Sequence, residues 1–276
     1  MSKSECKVCH HYCKLTENQT GLCKARKNVS GNIVAVNYGE ITSIALDPIE
    51  KKPLRHFYPG SMILSVGSFG CNLKCSFCQN HEISMARKDD VKTQYVEPEN
   101  LIQIALDLKS RGNIGIAYTY NEPLISYEYV RDCAVLAKKN KLKNVVVTNG
   151  CVNEEILKEI LPHIDAFNID LKGFSKDFYE KIGGDFETVK KFIISAHAGA
   201  HIEITTLIIP DENDSEQEIV NLSEFIASID NEIPLHISRF FPCYKMKDKN
   251  PTGVNKIYKL AEIAGKKLRY VYEGNC

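Results

Sequence analysis

Met62-Ile63-Leu64-Ser65-Val66-Gly67 runs through Ser68-Phe69 into Gly70-Cys71-Asn72-Leu73-Lys74-Cys75-Ser76-Phe77-Cys78-Gln79-Asn80. The first part is a short apolar run that ends on glycine, the pattern of a buried strand. The second is a loop with cysteines at C-x3-C-x2-C spacing. Thiolates are soft ligands that suit zinc or iron–sulfur clusters. Iron–sulfur clusters usually take four cysteines, and the next one, Cys133, falls on the apolar face of a helical pattern. Three thiols therefore leave one iron of a cubane open to a small molecule. Zinc is the competing reading, because His81 could complete a four-ligand site; spacing alone leaves the metal open.

Downstream, the strand-then-loop pattern repeats. Strands are expected at Ile114–Tyr120, Asn144–Thr148, Ala166–Leu171, Ile202–Ile209, Leu235–Phe240 and Leu268–Tyr272. Helical spacing separates them: Leu101/Ile104/Ala105/Leu108 behind Pro98, Val130/Cys133/Ala134/Ala137, Ile156/Leu157/Ile160/Leu161 behind a capping Asn153, and Val189/Phe192/Ile193/Ala196. Ser215-x-x-Glu218 reads as a capping box before Leu222, Phe225 and Ile226, and Ile257/Leu260/Ala261/Ala264 is the last helix. Nearly continuous apolar strands between helices indicate a parallel sheet covered by helices. Six βα units predict an α/β fold, a partial (β/α)6 TIM-like barrel. A doubly wound open sheet is the alternative. The cysteine loop, Asn121-Glu122, Thr148-Asn149-Gly150, Asp170-Leu171-Lys172 and Pro242 all fall at or just past strand ends, the end where such barrels gather their active sites.

Residues 1–61 read differently, as a small lobe, a hairpin turning at Gly31-Asn32 and a linker; residues 62–276 form the barrel. Cys6-x2-Cys9-x3-Cys13-x9-Cys23 is a candidate second metal site. A zinc knuckle would stabilise a lobe too small for its own core; a second iron–sulfur cluster or unmetallated thiols are the other readings. His10 and His11 could replace one ligand.

Composition bounds the rest. The chain has 276 residues, 43% of them hydrophobic, with 35 basic and 35 acidic side chains. Zero formal charge gives no global pull toward nucleic acid or membrane. No run reaches a membrane span and the start has no apolar signal region. Eleven cysteines in metal-like spacings point to a reducing, cytoplasmic setting rather than a disulfide scaffold.

Cys71-x3-Cys75-x-Phe77-Cys78 resembles the signature of the radical SAM enzymes. Tyr118–Pro123, Asn168–Gly173 and His236–Pro242 resemble the activating-enzyme branch, and Asp47–Gly60 resembles the radical SAM enzyme of the AmmeMemoRadiSam system. The resemblance implies a [4Fe–4S] cluster on Cys71, Cys75 and Cys78 with S-adenosylmethionine on the fourth iron. Reductive cleavage there gives a 5′-deoxyadenosyl radical that abstracts hydrogen from an unknown substrate. It also implies cofactor contacts from Glu122, Asp170, Lys172, His236 and Phe77, the last by stacking on adenine. Charge matching agrees, with Glu122 to the ammonium and Lys172 to the carboxylate. Thr148 and Asn149 could reach the ribose. Tyr120 and Asn121 stand where many radical SAM enzymes carry glycines.

Implied partners are an electron donor such as flavodoxin or ferredoxin, and Memo-like and AMMECR1-like proteins. Two other readings are a glycyl-radical activase resembling pyruvate formate-lyase activating enzyme and a non-enzymatic metal-binding regulatory protein. Bland readings remain: Asp170–Lys172 as a surface ion pair, Thr148-Asn149-Gly150 as a turn, Phe77 as core, and His236 as a satisfied buried histidine. Arg239 reads as a buried pair or a substrate clamp, and Cys276 as an unpaired thiol.

Overall fold

The computed structural model describes residues 3–276. Its centre is one eight-stranded sheet: β1 (Ser43–Pro48), β2 (Met62–Gly67), β3 (Asn113–Tyr118), β4 (Lys143–Thr148), β5 (Ala166–Asp170), β6 (His201–Ile208), β7 (Leu235–Arg239) and β8 (Val271–Gly274). Strand order follows chain order from one edge to the other. β1 pairs antiparallel with β2, and every later pair is parallel. A doubly wound sheet would reverse its strand order part-way; this one does not, so the partial barrel is the fold. β1 and β8 are its two open edges.

One main helix lies in each crossover between the parallel strands: α1 (Pro98–Asp107), α2 (Tyr127–Lys139), α3 (Glu154–Ile160), α4 (Phe186–His197), α5 (Glu216–Ile229) and α6 (Val254–Gly265). Alternation along each strand decides which side chains meet them. Leu64, Val66, Ile116, Tyr118, Val146, Phe167, Ile169, Ile204 and Ile237 share one core with Leu101, Val130, Leu157, Phe192, Leu222 and Leu260 of the helices. The opposite parity faces inward. At the foot of the barrel Ile63, Ala117, Val145 and Ala166 close on Ile49, Leu54 and Phe57. The segment between β1 and β2 is thus a plug in the barrel floor. It is pinned by Asn168 Nδ2, which donates to the Pro53 carbonyl at 2.9 Å, and by a buried Asp47–Lys52 pair at 2.9 Å.

Several local expectations shift. The hairpin of Arg26–Val29 with Asn32–Ala35 turns at Ser30-Gly31, both left-handed with φ 53° and 85°, as a two-residue hairpin loop requires. β8 starts later than the apolar pattern suggests, because Leu268 closes the end of α6, its N–H donating to the Ala264 carbonyl. Asn153 precedes α3 but does not cap it; its amide donates to the Lys7 carbonyl at 2.8 Å and ties the lobe to the barrel. Ser215 caps α5 as expected, but Glu218 turns away to accept from the Phe174 N–H at 2.6 Å. β1, which lies in the region read from sequence as lobe and linker, hydrogen-bonds β2 along its whole length. Among the described residues no helix is long and apolar enough to cross a membrane.

Candidate functional site

A cavity of about 850 Å³ opens at the C-terminal end of the parallel strands. Cys71, Cys75, Phe77, Cys78, Glu122, Thr148, Asn149, Asp170, Lys172 and His236 all line it. Those residues come from separate stretches of sequence, and the barrel brings them together because each sits on or just after an inward-facing strand.

Glu122 is the most constrained of them. Its side chain is buried, and it accepts from Thr148 Oγ1 at 2.7 Å, the Asn149 N–H at 2.8 Å and the Leu124 N–H at 3.0 Å. Burial pushes its carboxyl up to about 7, against the pull of those donors. A carboxylate offers about four acceptor positions, so one remains for a ligand. The approach to Glu122 is unusual. Tyr120 has φ 73°, a left-handed conformation rare for a large side chain. It keeps a glycine-like backbone although the residue is tyrosine. Its hydroxyl donates to Asp47 at 2.8 Å, and Lys52 lies 4.8 Å from its ring centre. Asn121 then staples this turn to the cysteine loop, donating to the Phe69 and Gly70 carbonyls at 3.1 and 3.0 Å.

Lys172 pairs with Asp170 at 2.7 Å. Burial alone would lower the lysine, but Asp170 and the neighbouring thiols hold it above its ordinary value. Phe77 has one ring face on Phe178, centroids 6.2 Å apart, so it is partly core and partly cavity wall. Asn149 lines the cavity, yet its amide is committed to the cysteine loop: Nδ2 donates to Asn72 Oδ1 at 2.9 Å and reaches Cys71 Sγ at 3.7 Å. His236 lies low in the barrel and donates from Nε2 to Glu203 at 2.7 Å.

Glu203 escaped the sequence reading. It is fully buried near the start of β6 and accepts from His201, His236 and the backbone N–H groups of Arg55 and His56. Burial alone would raise its carboxyl, but these four donors bring it down to about 2. Its signal was parity: a charged residue between Ile202 and Ile204 must face inward. Cys243 was also missed. The loop after β7 brings its thiol to 3.1 Å from the Cys78 carbonyl, to which it donates.

The donor set can be tested against the metals considered. Among the described residues no three His, Cys, Asp or Glu side chains converge where a single ion would sit. His81, the candidate fourth zinc ligand, stacks on Tyr244 at 4.4 Å. A cubane presents one iron to each cysteine. Three soft thiols on a cavity wall fit it. Burial lifts the Cys71 thiol well above its ordinary range and Cys75 to about 12, so only a bound cation would keep them as thiolates. The second metal site is not supported. Cys6 and Cys13 pack with Val8, Ile33 and Ile156, and Cys23 with Ala25 and Ile125. Apolar packing is the common role of a buried thiol, although Cys9 also lies near enough to Cys6, Cys13 and Cys23 for their charges to raise its thiol. Arg239 donates to the Thr252 carbonyl at 2.6 Å and covers Phe241, a structural use. Cys276 is exposed at the cavity rim.

The model of the Radical SAM superfamily matches residues 65–223. An uncharacterized protein of Methanocaldococcus jannaschii is 38% identical, covering 99% of this chain and 82% of its own. The pyruvate formate-lyase-activating enzyme of Clostridium pasteurianum is 26% identical over 70% of this chain and 80% of its own. SuiB of Streptococcus suis, solved bound to S-adenosylmethionine, superposes with a TM-score of 0.60 at 13% identity, over 78% of this chain and 52% of that one.

Proposed function

The chain belongs to the radical SAM superfamily, and from that premise we propose that Cys71, Cys75 and Cys78 hold a [4Fe–4S] cluster at which S-adenosylmethionine is reductively cleaved. The observation that carries this reading is the single cavity shared by the three thiols with Glu122, Asp170, Lys172 and Thr148. When bound, the cluster and S-adenosylmethionine supply one-electron cleavage and a 5′-deoxyadenosyl radical for hydrogen abstraction. The protein binds, orients and excludes water.

Glu122 has one acceptor position left for the methionine ammonium. Its carboxyl, near 7 when the site is unligated, ionises against that cation, so binding near neutrality releases a proton. Lys172 takes the methionine carboxylate while Asp170 fixes the lysine. Phe77 offers a ring face to adenine, and Thr148, already bonded to Glu122, borders the ribose. His236, anchored by Glu203, lines the same cavity and is a further candidate cofactor contact. The plug of Asp47–Gly60 supports placement in the AmmeMemoRadiSam branch, with Memo-like and AMMECR1-like partners.

A second reading, a glycyl-radical activase with a protein substrate, is favoured by the likeness to the Clostridium pasteurianum enzyme. Anaerobic reconstitution with iron and sulfide, reduction, and chromatography of the nucleoside product test the proposal. 5′-Deoxyadenosine is expected from the native chain and none from Cys75→Ala. Equal cleavage by both would overturn the ligand assignment. A glycyl-radical EPR signal on a co-incubated partner would select the activase.

A further inference from the structure

The N-terminal lobe does more than cover one side of the barrel. His11 Nε2 donates to the main-chain carbonyl of Asn72 at 2.8 Å, between the first two cysteines of the loop. Asn72 is buried, and each of its side-chain polar atoms is in use. Its Nδ2 donates to the Cys151 carbonyl at 2.8 Å, and its Oδ1 accepts from Asn149 Nδ2 at 2.9 Å. That same Asn149 nitrogen lies 3.7 Å from Cys71 Sγ. Asn149 is fixed at its other end, where Oδ1 accepts from the Cys151 N–H at 2.8 Å. His11 thus anchors the Asn72 backbone, and the Asn72 side chain in turn holds the Asn149 amide beside the Cys71 sulfur.

Lobe and loop are also held in register by shape. Gly70 has φ 86°, and a Cβ there would come within 2.5 Å of the Cys23 carbonyl oxygen. Cys9 bridges to Val152, and Asn153 reaches the Lys7 carbonyl at 2.8 Å. The lobe thus abuts the loop with no room for a side chain between them.

Resting on the proposed function, we propose that the lobe tunes the reduction potential of the cluster, with His11 as a positioning residue that acts through Asn72 and Asn149 on the Cys71 sulfur. An amide donor aimed at a ligating sulfur stabilises negative charge there. Reduction adds negative charge, so the donor favours the reduced cluster; hydrogen bonds to the sulfurs are one of the levers that set such potentials. Without His11, the Asn72 carbonyl is left buried without a donor. The loop then shifts to regain one, and the Asn149 amide loses its aim.

The test is an anaerobic potentiometric titration of the reconstituted chain, followed by EPR, for the native protein, His11→Ala, His11→Gln and Asn149→Asp. His11→Ala is expected to move the midpoint to more negative values at unchanged iron content. His11→Gln, whose amide nitrogen reaches the place of Nε2, restores it. Asn149→Asp removes the donor outright and moves the midpoint in the same direction. In the metal-free protein, Cys71 of His11→Ala is alkylated faster by iodoacetamide while Cys133 is unchanged, a readout that does not depend on the cluster. A native midpoint in both His11→Ala and Asn149→Asp, or equal alkylation rates, overturns the proposal. Failure of the native chain itself to take up a cluster would instead defeat the proposed function.

Discussion

Two sets of cysteines lie on either side of Gly70, and burial treats them alike: it lifts Cys75 in the loop and Cys9 in the lobe both to about 12. What separates them is what lies beside the sulfur. Cys71, Cys75 and Cys78 border a cavity of about 850 Å³ that also carries a buried carboxylate and a lysine–aspartate pair. Cys6, Cys13 and Cys23 border isoleucine, valine and alanine, and beside them one another and Cys9. Thiol spacing in a sequence therefore marks a possible metal site, and space with complementary charge is what distinguishes a reactive one.

The largest expected effect follows from that contrast. Cys75→Ala should lose the cluster's absorbance and all cleavage of S-adenosylmethionine, whereas Cys9→Ser should retain about four irons per chain, the content of one [4Fe–4S] cluster. Metal analysis of both decides it; iron lost from Cys9→Ser would make the lobe a metal site after all.

Next in size is Glu122→Gln. Removing a charged partner for the ammonium should weaken S-adenosylmethionine binding about ten- to hundredfold, the range for hydrogen bonds to charged groups. Isothermal titration in two buffers of different ionisation heat checks it, because the native protein should release a proton near neutrality and the variant should not.

The same group predicts a pH dependence. Glu122 titrates near 7 in the folded, unligated chain because burial disfavours its charge. The folded state then binds this proton more tightly than the unfolded one, so stability falls as pH rises from the ordinary carboxylate range to about 7 and levels off above. The span is on the order of 3 kcal/mol. Glu203 acts oppositely. Held down to about 2 by its four donors, it contributes stability above the ordinary carboxylate range, lost as pH falls toward 2. Urea melts of the metal-free protein at several pH values should show Glu122→Gln flattening the fall toward neutrality and leaving the acid limb in place.

The smallest effect belongs to the lobe. Cys9→Ser places a hydroxyl in a dry site and should destabilise the chain by about 1–3 kcal/mol with cleavage intact. A melt and an activity assay together sharpen the distinction between a packed thiol and a ligating one.

Much of this was legible in the residues. Strand and helix periods located seven parallel strands and six helices, and the positions of Glu122, Asp170 and Lys172 past strand ends placed them in one cleft. The plug was not legible, because Ile49, Leu54 and Phe57 have no period; only the barrel foot explains their burial. Edge strand β1 was hidden for a related reason. Ser43–Pro48 is half-exposed, with Ile44 left open on its outer face and Asp47 turned inward, and its partner lies across the plug. Asn149 looked like a turn residue because its amide partners, Asn72 and Cys71, are more than seventy residues away. Glu203 could have been found by following side-chain alternation through β6, where Ile202 and Ile204 on either side of it point to the helices.

The central claim is that three cysteines leave one iron free for S-adenosylmethionine. Electron–nuclear double resonance on the reduced cluster, with the cofactor isotopically labelled at its amino nitrogen, addresses it directly. A hyperfine coupling to that nitrogen is the expected result. No coupling, together with a fourth protein ligand such as the Cys243 thiolate on the last iron, would contradict it.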